Sequence, residues 1–256
     1  MTDPNDFWAP LRTSTQARIG LGRAGDGLPT RRVLEFRAAH AAARDAVHQP
    51  LDVEALSAEV RPLGLGEPAV VRSQVTSRSE YLRRPDLGRV PANLDGLTHV
   101  GADVGIVLAD GLSPRALHDH GAALLGALVT TLGERYTIAP PTIATSARVA
   151  LSDHIGAALG VNIVVVIIGE RPGLSVADSL GIYLTYDPRP GRADSERNCI
   201  SNIHPPDGLG YTEAARIVLS LIGGARELGK TGVELKTQPR EANSRGRSGD
   251  GGWGGV

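Results

Sequence analysis

Residues 20–25 read GLGRAG. This is the G-x-G-x-x-G spacing that cradles a dinucleotide pyrophosphate when it lies between a buried strand and a helix N-terminus. Asp45 follows at about the ~20-residue offset of a ribose-binding carboxylate. The preceding LRTSTQARI, however, lacks the unbroken apolar run of a strand buried on both faces, and Asp45 lies in AAHAAARDAVH, an alanine-rich helical pattern. A nicotinamide-dependent oxidoreductase built on Gly20–Gly25 is therefore the weaker reading. His118 and His120 form an H-x-H pair, but residues two apart on a helix point in different directions, and no Cys or His cluster completes a zinc set. The one cysteine, Cys199, needs a histidine and positive surroundings to become a nucleophile; a small, partly buried packing residue is the simpler reading. Asp110 either faces a ligand or holds its turn. Glu170 and Arg171, in GERPGLSVADS, either meet a ligand or are solvated loop charges. No G-x-S-x-G, Walker loop or paired-carboxylate pattern is present.

The elements that would position these residues change in texture along the chain. Val33, Phe36, His40, Ala43 and Val47 recur at helical spacing, with Pro29 suited to the first turn. RPLGLGEP and YLRRPDLGRVP then interrupt both helix and strand. Residues 1–95 are expected to form a small helical N-terminal domain with an extended connector. Residues 96–235 read as α/β: a strand over roughly 100–109, a helix over PRALHDHGAALLGALVTTLG, a strand in PPTIATSARVAL, and a short helix SDHIGAALG. Ser152 and Asp153 are the expected N-caps of that short helix and Gly160 its stop. VNIVVVIIG is the strand expected at the middle of a parallel sheet. GIYLTYDP is another strand, and YTEAARIVLSLIGGARELG a closing helix. Alternation of this kind implies a mostly parallel sheet. Residues 236–256, rich in Gly, Ser and Arg, read as a disordered tail.

In an open parallel sheet, ligands bind outside the carboxyl ends of the strands. Three stretches are expected there: 109–113, 169–179 and 197–203. The bulk properties argue against some classes of partner. With 27 Lys+Arg against 28 Asp+Glu, neither nucleic acid nor a membrane surface is the expected partner. A lone cysteine allows no intramolecular disulfide and suits a reducing compartment. The N-terminus carries no secretory signal pattern, and no apolar run reaches the ~20 residues of a membrane span.

Four stretches carry a family resemblance: ARIGLGRAG (17–25), EYLRRPDLGR (80–89), IGERPGLSVADSLGIYLTYDPRPGR (168–192) and ERNCISNIHP (196–205). In order, they resemble the small subunit of ethanolamine ammonia-lyase through most of residues 7–228. The resemblance implies a heteromeric, adenosylcobalamin-dependent carbon–nitrogen lyase, a radical enzyme of ethanolamine degradation that yields acetaldehyde and ammonia. The large subunit, a (β/α)8 barrel, would bind ethanolamine. This chain, with a Rossmann-like domain after a helical piece, would help bind cobalamin at the subunit interface. Val149, Glu170 and Cys199 match the family's cobalamin-contacting positions. Glu170 is expected to accept from a corrin amide N–H, and Val149 and Cys199 to contribute backbone groups or packing. No catalytic residue and no metal ligand is expected in this chain, because the hard chemistry belongs to the cofactor. The D-x-H-x-x-G pattern of enzymes that replace the cofactor's lower base with histidine is missed by both LHDHGAALLG and LSDHIGAALG, so the base-on form is implied. The family usually reads close to GRVAIGDEIG where this chain has ARVALSDHIG. Ala147 thus replaces a glycine and His154 a glutamate, and a Cβ at 147 would shift the loop if that position needs positive φ. A non-catalytic scaffold of the same fold is the reading in which the altered segment no longer meets cofactor. The bacterial cytoplasm is the implied location. Relatives packed into bacterial microcompartments often carry a long N-terminal extension, and this chain begins only a few residues before the matched region.

Overall fold

A computed structural model describes residues 7–235; the expected tail, 236–256, lies outside the described residues. The chain forms helices α1 (Ala9–Thr13), α2 (Thr30–His48), α3 (Val53–Val60), α4 (Arg78–Arg83), α5 (Pro114–Leu132), α6 (Leu151–Leu159) and α7 (Tyr211–Leu228). Its strands are β1 (Ala69–Arg72), β2 (Val104–Ala109), β3 (Thr142–Thr145), β4 (Ile163–Gly169), β5 (Leu180–Tyr186) and β6 (Asn198–Ile203). They build one mixed, mostly parallel α/β sheet in the order β1-β3-β2-β4-β5-β6. The β1–β3, β3–β2 and β2–β4 pairs are parallel; β4–β5 and β5–β6 are antiparallel.

Strand alternation distributes the apolar residues between two layers. Val104, Ile106 and Leu108 of β2, with Ile163, Val165 and Ile167 of β4, face α3, α5 and α7. Val107, Val164, Val166 and Ile168 face α6 and the segment before β2. Burial on both sides explains why β4 reads as a continuous β-branched run. It nonetheless has one parallel neighbour, β2, and one antiparallel neighbour, β5, because a ten-residue loop rather than a crossover helix leaves it. On α5, Leu117, Leu124, Leu125, Leu128 and Leu132 are buried, and the Ser113 side chain caps the helix by accepting from the Ala116 N–H at 3.2 Å. Gly160 ends α6 in the left-handed region (φ 68°), where glycine costs least.

Several expectations are corrected. Residues 69–72, read as connector, form edge strand β1, which pairs with β3. Residues 198–203, read as a loop, form β6. Both escaped pattern reading: β1 has four residues, and in β6 only Ile200 and Ile203 are buried. Those two lie three apart, not two, because the β5–β6 register shifts between them, at Asn202 with φ 63°. Such a bulge inserts one residue and breaks the period of two. The α2 face that begins at Val33 and Phe36 is not a core face, since Ala46 is the only buried residue of this 19-residue helix. Pro29 occupies the N-cap position of α2, one residue before its first turn.

Ser152 and Asp153 do not cap α6; Ala150 stands at its N-cap position. The Ser152 hydroxyl instead donates to the Val149 carbonyl at 2.7 Å. Asp153 is the buried partner of Arg197, joined by two hydrogen bonds of 2.6 Å, with both side chains 1% exposed. Arg197 donates further to Thr185 Oγ1 (2.8 Å) and the Arg192 carbonyl (3.1 Å), which ties α6 to β5 and to the start of β6. Removing one partner strands the other charge in the core. Asp153→Ala is therefore expected to destabilise the chain by about 3–5 kcal/mol. Arg115→Ala, which breaks only the exposed Arg115–Asp119 pair, is expected to cost under ~1 kcal/mol. Urea denaturation of the two variants checks this; equal midpoints would contradict it.

Candidate functional site

The strands β2 and β3 are neighbours, yet their chains leave toward opposite layers, β2 into α5 and β3 into α6. Diverging exits of this kind open a crevice at the carboxyl edge of a sheet, where ligands of open α/β folds bind. A cavity of about 440 Å³ lies there. It is lined by Gly111 and Leu112 after β2, Arg148 and Val149 after β3, Ile168 to Arg171 at the end of β4, Tyr183 of β5, and Tyr81 of α4.

Close backbone approach shapes its floor. A Cβ on Gly169 would stand 2.1 Å from the Ser113 carbonyl oxygen, and one on Gly111 would stand 2.3 Å from that of Gly169. Leu112 N–H donates to the Gly169 carbonyl at 2.9 Å, so the turn after β2 is pinned to the end of β4. The close approach expected at Gly169 is what the structure contains.

Asp110 holds more than its own turn. Its buried carboxylate accepts from the Ser146 N–H (2.7 Å) and the Ala147 N–H (2.9 Å), with Arg78 Nη1 at 3.6 Å from Oδ2. Burial pushes its pKa up, against the opposing pull of the Ala147 N–H, Arg78 and the Ser146 and Gly111 N–H groups. Arg78 also donates to the carbonyls of Val47 (2.7 Å) and Gly111 (2.9 Å). The guanidinium carbons of Arg78 and Arg148 lie 4.5 and 4.2 Å from the Tyr81 ring centroid, within range of a cation–π contact. The Tyr81 hydroxyl donates to the Ala147 carbonyl at 2.9 Å. The positive φ of this loop belongs to Ser146 (51°), and Ala147 is not among the residues with positive φ. A Cβ at 147 is therefore accommodated: it packs, buried, against the α6 layer.

Of the three residues singled out for cofactor contact, Val149 and Glu170 both line the cavity. Cys199 stands opposite Tyr183 across the β5–β6 pair; Tyr183 lines the cavity and Cys199 does not. The cysteine is exposed rather than a partly buried packing residue, with its Sγ 3.3 Å from the Ser201 hydroxyl. Glu170 Oε2 accepts from the Ser179 hydroxyl (2.8 Å) and from the Asn202 N–H (3.2 Å), the residue at the β6 bulge. Oε1 lies over Gly181, close to where a Cβ would sit. Sequence reading missed Tyr81, Arg148 and Tyr183. Only topology brings them to the cavity; Tyr81 and Tyr183 lie within the family-like stretches EYLRRPDLGR and IGERPGLSVADSLGIYLTYDPRPGR, and Arg148 within ARVALSDHIG, with no local pattern to single them out.

The remaining candidates go elsewhere. His118 is exposed, and His120 Nδ1 lies 2.6 Å from the Tyr211 hydroxyl. Among the described residues no group of three or more His, Cys, Asp or Glu is placed to hold a metal ion. Gly20–Gly25 lies in the loop between α1 and α2, with no strand before it among the described residues. Gly20 has φ 55°, and a Cβ there would meet the Trp8 ring. Arg12 donates to the Ile19 and Gly20 carbonyls, and Arg18 reaches the Leu174 carbonyl at 2.8 Å. These glycines make a bend that lays the N-terminal segment on the 170–179 loop.

The family model for the ethanolamine ammonia-lyase light chain (EutC) matches residues 5–236. The chain belongs to this family. It is 68% identical over 235 residues to the ethanolamine ammonia-lyase small subunit of Rhodococcus erythropolis, covering 92% of this chain and 91% of that protein. The small subunit of Rhodopseudomonas palustris is 50% identical over 232 residues, 88% of each chain. That of Xanthomonas campestris pv. campestris is 46% identical over 246 residues, 93% of this chain and 90% of that one. No helix among the described residues of this light-chain family member is long and apolar enough to cross a membrane.

The wall residue Tyr183 supplies a pH test. Burial, together with the neighbouring Cys199 and Glu170, pushes its phenol up to about 12, and burial raises Tyr81 as well. The folded state thus retains both protons. Their contribution to stability is constant below the unfolded tyrosine value of ~10 and is lost as pH rises from there through the folded values. In a phenolate absorbance titration, these two of the five tyrosines are expected to ionise last. Tyr183→Phe should remove one late-ionising phenol and flatten the stability loss between about pH 10 and 12.

Proposed function

We propose that this chain is the small subunit of an adenosylcobalamin-dependent ethanolamine ammonia-lyase. In this reading its Rossmann-like α/β part binds one edge of the cofactor at the interface with the large subunit. The observation that carries the reading is that Val149 and Glu170, far apart in sequence, line one crevice at the carboxyl edge of the sheet, and that Cys199 is the strand partner of Tyr183, which lines it too. The chemistry of the crevice fits such a ligand. Glycines 111 and 169 allow close approach of backbone, and Glu170 is an acceptor already oriented by Ser179 and Asn202.

Pockets that enclose a drug-sized ligand run to roughly 300–1,000 Å³. At about 440 Å³, this cavity accommodates part of a corrinoid, and a second chain must cover the rest. The exposed apolar side chains Phe7, Trp8, Leu11, Leu34 and Phe36 of the N-terminal region offer surface for the large subunit. This docking region lies ahead of β1 and Tyr81, which precede the expected division at about residue 95 yet belong to the sheet and the cavity. When bound, the cofactor supplies the radical chemistry that converts ethanolamine to acetaldehyde and ammonia. The chain itself accepts a ligand N–H at Glu170, packs Val149 against the ligand edge, and holds Tyr183 as a neutral donor. Ethanolamine would be bound by the large subunit, in the bacterial cytoplasm. The ARVALSDHIG segment gives no support to a scaffold that has lost cofactor contact, since Ala147 occupies its loop without positive φ.

Co-expression with the matching large subunit should yield a complex that forms acetaldehyde from ethanolamine only when adenosylcobalamin is added and both chains are present. In that complex Glu170→Ala should weaken cofactor binding about tenfold to a hundredfold, the worth of a hydrogen bond to a charged acceptor. Glu170→Gln, which keeps an acceptor, should lose less. Cofactor should also protect the single thiol, Cys199, from alkylation. An assembled, folded complex whose cobalamin affinity is unchanged by Glu170→Ala would overturn the site assignment.

A further inference from the structure

The charges around the crevice do not balance internally. Glu170 is engaged by a hydroxyl and a backbone N–H, not by a cation. Arg78, behind the wall, has Asp110. Arg148 and Arg171 both line the cavity, and neither has a carboxylate oxygen within 4 Å among the described residues. The one hydrogen bond Arg148 makes through its side chain goes to the Tyr81 carbonyl at 3.2 Å, and its position is fixed by stacking on the Tyr81 ring and by its own N–H on the Gly88 carbonyl (2.8 Å). Arg171 is exposed and makes no hydrogen bond or ion pair with any described residue. The lining thus carries two guanidinium charges against one carboxylate, and a ligand group with a single negative charge and two free oxygens would neutralise it. Arginine's planar fork matches such a group better than a carbonyl or an amide.

We propose that Arg148 and Arg171 form an anion subsite that receives the phosphodiester of a corrinoid's nucleotide loop. This rests on the cofactor reading above and deepens it. A phosphodiester is a monoanion at neutral pH and presents two equivalent oxygens, whereas the corrin ring's amide side chains, though able to accept from a guanidinium, are neutral and would leave the excess positive charge uncompensated. Arg148, held by Tyr81, is the fixed half of the subsite. Arg171, on the 170–179 loop, is the half that closes on the ligand. The two arginines contribute to the difference in affinity between a corrinoid that has the nucleotide loop and one that lacks it, and they touch no reacting atom.

The test uses the assembled complex with the large subunit and two probes: hydroxocobalamin, and cobinamide, which lacks the phosphodiester and the base. Binding is read by equilibrium dialysis and visible absorbance. Arg171→Gln, which removes no internal contact, should weaken hydroxocobalamin binding about tenfold, the worth of one charge-assisted hydrogen bond, and leave cobinamide within about twofold. Arg148→Gln should act in the same direction, and Arg148→Lys should recover part of the loss. Equal losses for both corrinoids, no change for either, or weakened subunit association in place of weakened cobalamin binding would each overturn the subsite. Glu170→Ala, run alongside, separates the two levels. If it weakens both corrinoids while the arginine variants change nothing, the subsite fails alone; if all the variants leave both affinities unchanged, the cofactor reading fails with it.

Discussion

The carboxylate of Asp110 sits at the end of β2 with 5% of the residue exposed, and the geometry of the crevice follows from how that buried charge is satisfied. Burying a carboxylate is costly unless it is paired and hydrogen-bonded. Here the partners come from the loop after β3, through the Ser146 and Ala147 N–H groups, and from α4, through Arg78. The same loop presents Arg148 and Val149 to the cavity. Ser146 pays a conformational penalty at φ 51°, of the order of ~1–3 kcal/mol for a non-glycine residue outside its preferred regions. It persists because its N–H is taken by Asp110 and its carbonyl by the Ser73 hydroxyl at 2.7 Å. Tyr81 then closes the cluster, with its hydroxyl on Ala147 and its ring under both guanidinium groups. A segment rich in prolines and glycines is in this way made part of a rigid wall.

The opposite side of the crevice depends on a second buried pair. Asp153 lies four residues after Val149, and Arg197 two before Cys199, so their double hydrogen bond couples the helix that follows one wall residue to the strand that pairs with another, Tyr183. A pair this deeply buried gains little net stability over well-packed apolar residues, but its geometry fixes the setting of α6 against β5 and β6. That setting matters because the β6 bulge aims the Asn202 N–H at Glu170. A regular β6 would have kept the period of two and turned that N–H elsewhere.

These two clusters also mark the boundary of what the sequence reveals. The continuous β-branched run of β4, the leucine periodicity of α5 and the glycine stop at 160 are local signals, and each element lies where its pattern indicates. The short edge strand β1 and the bulged β6 have no such pattern: one is brief, and the other is exposed on most positions. Asp153 reads locally as a helix cap, and nothing within ten residues announces Arg197, 44 positions away. Asp110 reads locally as a turn residue for the same reason. Val149, Glu170 and Cys199 belong to three different strand ends, so local spacing could not join them. They were legible only through stretches such as IGERPGLSVADSLGIYLTYDPRPGR, which carry the family's arrangement as a whole.

The crevice holds its polar side chains in set positions. Its polar groups are oriented by neighbours: Glu170 by Ser179 and Asn202, Arg148 by Tyr81, and Tyr183 by burial that keeps its proton. Groups oriented in this way can grip a ligand without rearranging. The floor is formed where the backbones of Gly111 and Gly169 meet closely. The exposed apolar residues of the N-terminal segment lie on a chain tethered to the 170–179 loop by Arg18 and Ser175. Docking of a partner on that segment would therefore bear directly on the loop that carries Arg171, so that covering the ligand and completing its charge neutralisation become one event.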